Sequence, residues 1–262
     1  MMHSPDAFCL CYQSVVQLDV RTSKLTTIGR HTGEPSKVAC SCLGAVDENT
    51  VVSAGWNSML YLWDCRAPSL QTTIDLPGKA FGMDVYQDKV VVATSGRKNC
   101  IVDLTQQKVV LERESSLKYQ SRCVAFLGDG SGFALGSIEG RVAVEFLEEL
   151  GIPTDRKKYA FKCHRLHDTV YPVNAITFHP RFGTFCTGGC DGTVVTWDGR
   201  NKKKLTTLPK FATSVAALAF NHDGSELAVA SSYTFEEGER DHPQDEIYVR
   251  KMLDTECQPK GQ

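Results

Sequence analysis

A strand, a tight polar turn and a second strand recur five times along this chain, and helical periodicity is almost absent between them. The units are Val51–Asp64, Val91–Leu104, Phe133–Phe146 and Phe185–Asp198. A looser fifth runs Leu227–Ser232 and resumes after an insertion at Glu246–Arg250. Small residues close the first strand of each unit, and glycine in several of the turns supplies the positive φ a hairpin needs. Ahead of most units sits another apolar run: Val38–Leu43, Cys123–Leu127, Val173–Phe178 and Val215–Phe220. A chain built this way is all-β, and repeats of this kind must stack on their neighbours to bury a core.

Matching strand ends recur at about 40 to 50 residues, the period of a WD-repeat β-propeller blade. Trp63-Asp64 and Trp197-Asp198 reproduce the dipeptide of that repeat. The expectation is one WD-repeat propeller domain over 1–262, of the seven-bladed family. A partial blade covers 1–30, and blades cover about 31–66, 78–105, 118–150, 165–200 and 210–252. In the partial blade, Ala7–Tyr12 and Ser14–Val20 are expected as the last two strands. The first blade and part of the second are thus expected to be missing, and the start Met1-Met2 is compatible with an internal methionine taken as the beginning. His31, His164 and His167 precede the blades that end in Trp-Asp. A His, a Ser or Thr, a turn Asp and the Trp can form a hydrogen-bonded structural set, with Asp191 as the turn residue in the later blade and Asn57 in its place in the earlier one.

Composition narrows the function classes. Lys+Arg 29 against Asp+Glu 31 gives a net charge of -2, which is no nucleic-acid footprint. No apolar run reaches the length of a membrane helix, and the first residues lack the basic and apolar regions of a secretory leader. The 11 cysteines are odd in number and scattered, so they are expected as reduced, buried small hydrophobes rather than disulfides or metal ligands. The C-x-C pairs Cys9/Cys11 and Cys40/Cys42 place two thiols on one strand face. No catalytic triad, phosphate loop or carboxylate pair is evident, so no enzyme activity, cofactor or metal is expected. Lys202-Lys203-Lys204 is expected as a solvated loop between blades, Arg156-Lys157-Lys158 as too short for a localisation signal, and the acidic insertion Thr234–Asp245 as a mobile loop.

Several stretches are more specific. They are Arg113–Cys123, Gly136–Glu145, Lys157–Arg165, Tyr171–Ile176, Ala230–Tyr233 and His242–Arg250. Together they resemble the spindle-checkpoint WD-repeat proteins of the Bub family, from about residue 110 to the end and more weakly over 31–110. A sister family, the nuclear-pore mRNA-export WD proteins, shares Arg113–Lys118, Ser137–Ala143 and Phe161–Arg165. Lys157-Lys158-Tyr159, Tyr119 and His242–Asp245 resemble the checkpoint members.

The resemblance implies a non-catalytic adaptor. Lys118 and Arg122 match positions that bind the GLEBS motif of checkpoint kinases and pseudokinases. Arg141 and Arg165 match positions that hold phosphothreonine in MELT repeats of the kinetochore scaffold. Implied with these are an indirect link to the anaphase-promoting complex, no direct nucleic-acid or membrane partner, and a place in the nucleus and at kinetochores beside a cytoplasmic pool. Arginine suits either role, because its planar fork grips carboxylate or phosphate through two bonds.

Overall fold

Alternating small and β-branched residues give each repeat a strand that is buried on both faces, and the polar turns reverse it into antiparallel sheets. The structure is a computed structural model that describes residues 6–11, 13–34, 38–66, 69–152 and 154–259. Tyr12 and the Met1-Met2 start lie outside the described residues, as do the side chains of Cys9 and Cys11. The chain divides into two compact units, Met1–Ser115 and Ser116–Gln262.

The first unit holds three sheets. β1 (Asp6–Cys11), β2 (Ser14–Asp19) and β3 (Lys24–Arg30) form a three-stranded sheet in chain order. β4 (Cys40–Ala45), β5 (Thr50–Gly55), β6 (Met59–Asp64) and β7 (Ser69–Asp75) form a four-stranded meander. β8 (Ala80–Tyr86), β9 (Lys89–Thr94), β10 (Lys98–Asp103) and β11 (Lys108–Glu114) form another. Between these two meanders lies a core that includes Val52, Leu60, Leu62, Val90, Val92 and Val102. Each fully buried branched side chain there contributes about 1.5–3 kcal/mol.

The second unit repeats the plan. β12 (Ser121–Phe126), β13 (Gly132–Ser137), β14 (Arg141–Phe146) and β15 (Tyr159–Lys162) form one meander. A small hairpin follows, β16 (Arg165–Leu166) with β17 (Thr169–Val170). β18 (Val173–Phe178), β19 (Phe185–Gly189), β20 (Val194–Asp198) and β21 (Lys203–Thr207) form the next meander. β22 (Val215–Phe220), β23 (Glu226–Ser231) and β24 (Glu246–Lys251) form a three-stranded sheet, after which α1 (Asp254–Cys257) makes one turn. The fold class is all-β, built of propeller blades.

Four outer strands, β7, β11, β15 and β21, lie past the ends that the repeat pattern suggested, and β3 adds a third strand to the N-terminal sheet. They were not evident in the sequence because they are short or polar. β21 carries the exposed Lys203 and Lys204, so most of the lysine run is strand rather than loop. The acidic insertion is tied down at its start. Thr234 N and Oγ1 donate to Glu236 Oε2 at 3.1 and 2.8 Å, Ser214 Oγ donates to Glu236 Oε1, and Tyr233 OH donates to Gly238 O at 2.9 Å.

The inner strand of each repeated sheet bulges at its second residue. In β12, Ser121 faces Ser137 and Cys123 faces Gly136, so Arg122 is the extra residue. Ser41, Phe81, Asn174 and Ala216 are the extra residues of β4, β8, β18 and β22. Ser41 Oγ donates to Ala80 O at 2.8 Å and Asn174 Nδ2 donates to Val215 O at 3.0 Å. Each bond ties one sheet to the residue just before the next sheet's bulge. From β12 the same link is made by Cys123, whose Sγ reaches Val173 O at 3.5 Å.

The expected polar set is complete in one sheet. His164 shares a bond of 2.9 Å with Asp191 through Nδ1 and one of 2.8 Å with Thr187 through Nε2, and Trp197 Nε1 donates to the same Thr187 hydroxyl at 2.9 Å. The backbone makes room for this at Gly189, where a Cβ would stand 2.4 Å from His164 Nδ1. Burial alone would raise the Asp191 carboxyl, but the bonds from His164 and Thr193 outweigh it and hold it below its usual range. His31 reproduces half of the set, bonding Ser53 at 2.7 Å while Trp63 Nε1 donates to Ser53 at 2.8 Å. With Asn57 in the turn, His31 Nδ1 and Asn57 Oδ1 are both buried without a partner, and burial pushes the imidazole down to about 4. His167 takes no part and is exposed between β16 and β17.

Two outcomes follow from these contacts. Thr187→Val keeps the shape but removes the hydroxyl shared by His164 and Trp197, leaving the buried imidazole Nε2 and the half-buried indole N–H without it. Urea denaturation should show a loss of about 2–3 kcal/mol with an unchanged m-value. β24 pairs among the described residues only with β23, and exposes Ile247 at 78% and Val249 at 67%. Such an edge recruits strands, so Ile247→Lys with Val249→Lys should lower the mass seen by light scattering on the purified chain. An unchanged mass would show that this edge is not the site of self-association.

Candidate functional site

The four basic residues singled out in the sequence gather at one end of the β12–β15 sheet. Lys118 lies in the segment leading into β12, Arg122 on its bulge, and Arg141 at the start of β14. Arg165 opens β16, just after β15 returns to the same end. The register fixes this grouping: Ser121 of β12 pairs with Ser137 of β13, and Arg141 of β14 pairs with Lys162 of β15.

The tight turn between β13 and β14 organises the cations. Arg165 donates from Nη2 to Glu139 O at 2.7 Å and from Nε to Gly140 O at 3.4 Å. Arg141 Nε lies 3.5 Å from the Glu139 carboxylate, whose other oxygen is buried without a partner. Gly140 is required here: its φ is +60°, and a Cβ would meet Cys163 O at 2.7 Å. The turn therefore brings Arg141 and Arg165 together on Glu139. Both arginines keep donors to spare, since the guanidinium carries five and these contacts use one or two.

Arg122 and Lys118 differ from them. Neither has a hydrogen bond or ion pair among the described residues; Lys118 is exposed and Arg122 is half-buried. Arg122 stands beside Cys123, whose thiol burial pushes up to about 12, so the pair offers a fixed cation and no thiolate nucleophile. Exposed apolar side chains adjoin the cations along the chain: Tyr119 next to Lys118, Ile138 in the β13–β14 turn, Leu166 next to Arg165 and Val170 paired with it. Ile138 is fixed by the bond its N–H donates to Gln120 O at 3.0 Å.

Sequence reasoning missed Lys162, which sits across from Arg141, and Glu139, which competes for it. It also missed the exposed apolar side chains beside these cations, Tyr119 excepted. The alternation of Tyr159–Lys162 could have placed Lys162 outward. Among the described residues, no three or more His, Cys, Asp or Glu side chains converge as metal ligands would. The site offers fixed cations beside an apolar surface, suited to holding an anionic peptide.

Four-stranded meanders with a bulged inner strand and the His164–Thr187–Trp197–Asp191 set define a WD-repeat protein, and the WD domain, G-beta repeat model matches residues 156–198. The chain is 47% identical over 215 residues to mitotic checkpoint protein bub3 of Dictyostelium discoideum, covering 79% of this chain and 65% of that one. It is 39% identical over 254 residues to mitotic checkpoint protein bub-3 of Caenorhabditis elegans, covering 92% and 72%. The mRNA export factor GLE2 of Chaetomium thermophilum is 34% identical over 220 residues, covering 80% and 60%. The chain belongs to the Bub3 family of mitotic checkpoint WD-repeat proteins. It spans 65% of the length of the Dictyostelium relative.

Proposed function

We propose that this chain is a non-catalytic adaptor of the spindle assembly checkpoint, joining a kinase or pseudokinase to the kinetochore in the nucleus. The observation that carries this reading is Arg122. It is lifted out of the β12 ladder by a bulge, half-buried, without a hydrogen bond or ion pair among the described residues, and near the exposed Tyr119 and Ile138. A cation so placed lacks only its anion. A glutamate of a GLEBS segment, with apolar neighbours seated on Tyr119 and Ile138, would provide one, with Lys118 as a second, exposed charge.

Arg141 and Arg165 are the proposed phosphothreonine clamp for a MELT segment. They share the Glu139 turn and retain unused N–H groups. A phosphate brings about -1.5 to -2 charges and three acceptor oxygens, enough to draw Arg141 from a single contact with Glu139. The checkpoint role is preferred over mRNA export because identity to the Caenorhabditis checkpoint protein is 39% over 254 residues, against 34% over 220 for the export factor.

Calorimetry with a GLEBS peptide tests the first assignment. Arg122→Glu should weaken binding by about 2–5 kcal/mol, because the peptide's glutamate is left sealed against like charge. The melting temperature should stay as it was, since no bond is lost. Undiminished affinity in a folded Arg122→Glu protein would refute it. For the second, a MELT peptide should bind at least about tenfold better phosphorylated, a preference that Arg141→Ala with Arg165→Ala removes. Both forms are measured with the GLEBS peptide present, and equal binding of the two by the unaltered chain would exclude a phosphate clamp.

A further inference from the structure

The ends of β12 and β14 away from Arg122 and Arg141 open onto a second concavity. It is a cleft of about 520 Å³ between the β12–β15 and β18–β21 sheets, a size within the range of ligand pockets. Leu127, Val144, Phe146, Phe178, Phe182 and Phe185 supply its apolar lining. Arg156, Lys157, Arg181, Arg200 and Lys202 supply its charge.

Carboxylates neutralise only some of those cations. Asp129 accepts bonds from Ser131 N at 3.0 Å, from the Ser131 hydroxyl at 2.5 Å and from Arg156 Nη2 at 2.7 Å. Asp198 is buried and accepts from Asn201 N at 2.9 Å and Asn201 Nδ2 at 2.7 Å. Arg181 pairs with Asp254 at 3.0 Å. Lys157 and Arg200 are exposed and have no hydrogen bond or ion pair among the described residues. Positive charge therefore exceeds negative around an apolar floor, in a chain whose net charge is -2.

Ring geometry narrows the occupant. Arg156 lies 4.9 Å from the Phe146 centroid, Arg181 5.1 Å from that of Phe182, and Lys202 4.8 Å from that of Tyr159. His179 stacks on Phe182 at 4.6 Å. Faces covered in this way are not open platforms for nucleobases, which single-strand binding requires. An apolar side chain can still enter between the rings, with anionic groups left outside it at Lys157 and Arg200.

We infer that this cleft is a second docking site, taking a short acidic peptide segment that seats one apolar side chain on the phenylalanine floor and meets Lys157 and Arg200 with carboxylates. The six residues of β14 hold it about 17 Å from the Arg141 end of the sheet. One sheet thus presents two anion-reading sites at opposite ends, and the second stands whether or not the first binds as proposed.

Fluorescence polarisation on the full chain tests it. The probe is a labelled pentapeptide, Asp-Glu-Phe-Glu-Asp, compared with Asp-Glu-Ser-Glu-Asp and with Asn-Gln-Phe-Gln-Asn. The first should bind and the other two should be at least about tenfold weaker. Lys157→Glu with Arg200→Glu should weaken the first about tenfold or more, while Lys203→Glu with Lys204→Glu, the same change of charge on the neighbouring β21, should alter it less than about twofold. The inference is overturned if the unaltered chain does not bind the probe at millimolar concentration, or if serine serves as well as phenylalanine. It is equally overturned if both charge reversals act alike, or if an oligothymidine displaces the peptide.

Discussion

The bulge at the second residue of each inner strand is the constraint from which the site derives. It removes one residue from the ladder and turns its side chain to a use that sheet pairing does not dictate. In β4 and β18 that use is structural: Ser41 and Asn174 tie their sheet to the carbonyl before the next bulge. In β12 the adjacent Cys123 reaches Val173 O, and Arg122 is released from the duty. A thiol is a weak donor, so the link there is weaker than a serine or asparagine would make it. A backbone device repeated for stability thus frees one side chain, Arg122, where the sheet delegates the bond to its neighbour in sequence.

The polar set around Thr187 shows the same economy in the other direction. Its hydroxyl serves both His164 and Trp197, and Asp191 holds the other face of the imidazole. Where Asn57 stands in the turn, the equivalent imidazole has no partner at Nδ1 and keeps the bond to Ser53 and a contact with Cys40 at Nε2. Stacking compensates in part: Tyr61 lies 4.0 Å from the His31 ring, and Trp63 lies 5.5 Å from Tyr61. The repeats therefore tolerate divergence in their polar bonds while the buried strands between them remain alike.

That difference explains what could be read from the sequence. The hairpins β5–β6, β9–β10, β13–β14 and β19–β20 were legible because their strands are buried on both faces and hence mostly apolar or small. The outer strands were not, since β21 reads as a lysine run followed by threonines and β15 has only four residues. For the site, Lys118, Arg122, Arg141 and Arg165 stood out through family resemblance, and their types suited anions. The bulge beneath Arg122 and the Glu139 turn shared by Arg141 and Arg165 depend on register, which a one-residue slip changes and composition does not record. The second cleft was invisible for the same reason: Arg156 and Lys157 read as a short basic run, and Phe178 and Phe185 as core.

If Arg141 and Arg165 hold the phosphate proposed for them, Glu139 gives the pair a means of discrimination. Its carboxylate is half-buried, with one oxygen near Arg141 and the other unpartnered, so an approaching anion meets repulsion as well as attraction. A ligand carboxylate, with one negative charge, gains little by taking Arg141 from a neighbour that already carries the same charge. A phosphate carries nearly twice the charge and more acceptors, and can engage Arg141 and Arg165 together. Selectivity of this kind comes from a difference between ligands, not from the strength of the cationic field alone. Arg122 has no such competitor among the described residues, which fits it to the carboxylate partner proposed for it. Under the proposed roles, two sites made of the same residue type on one sheet are set to different anions by whether an acidic neighbour is present.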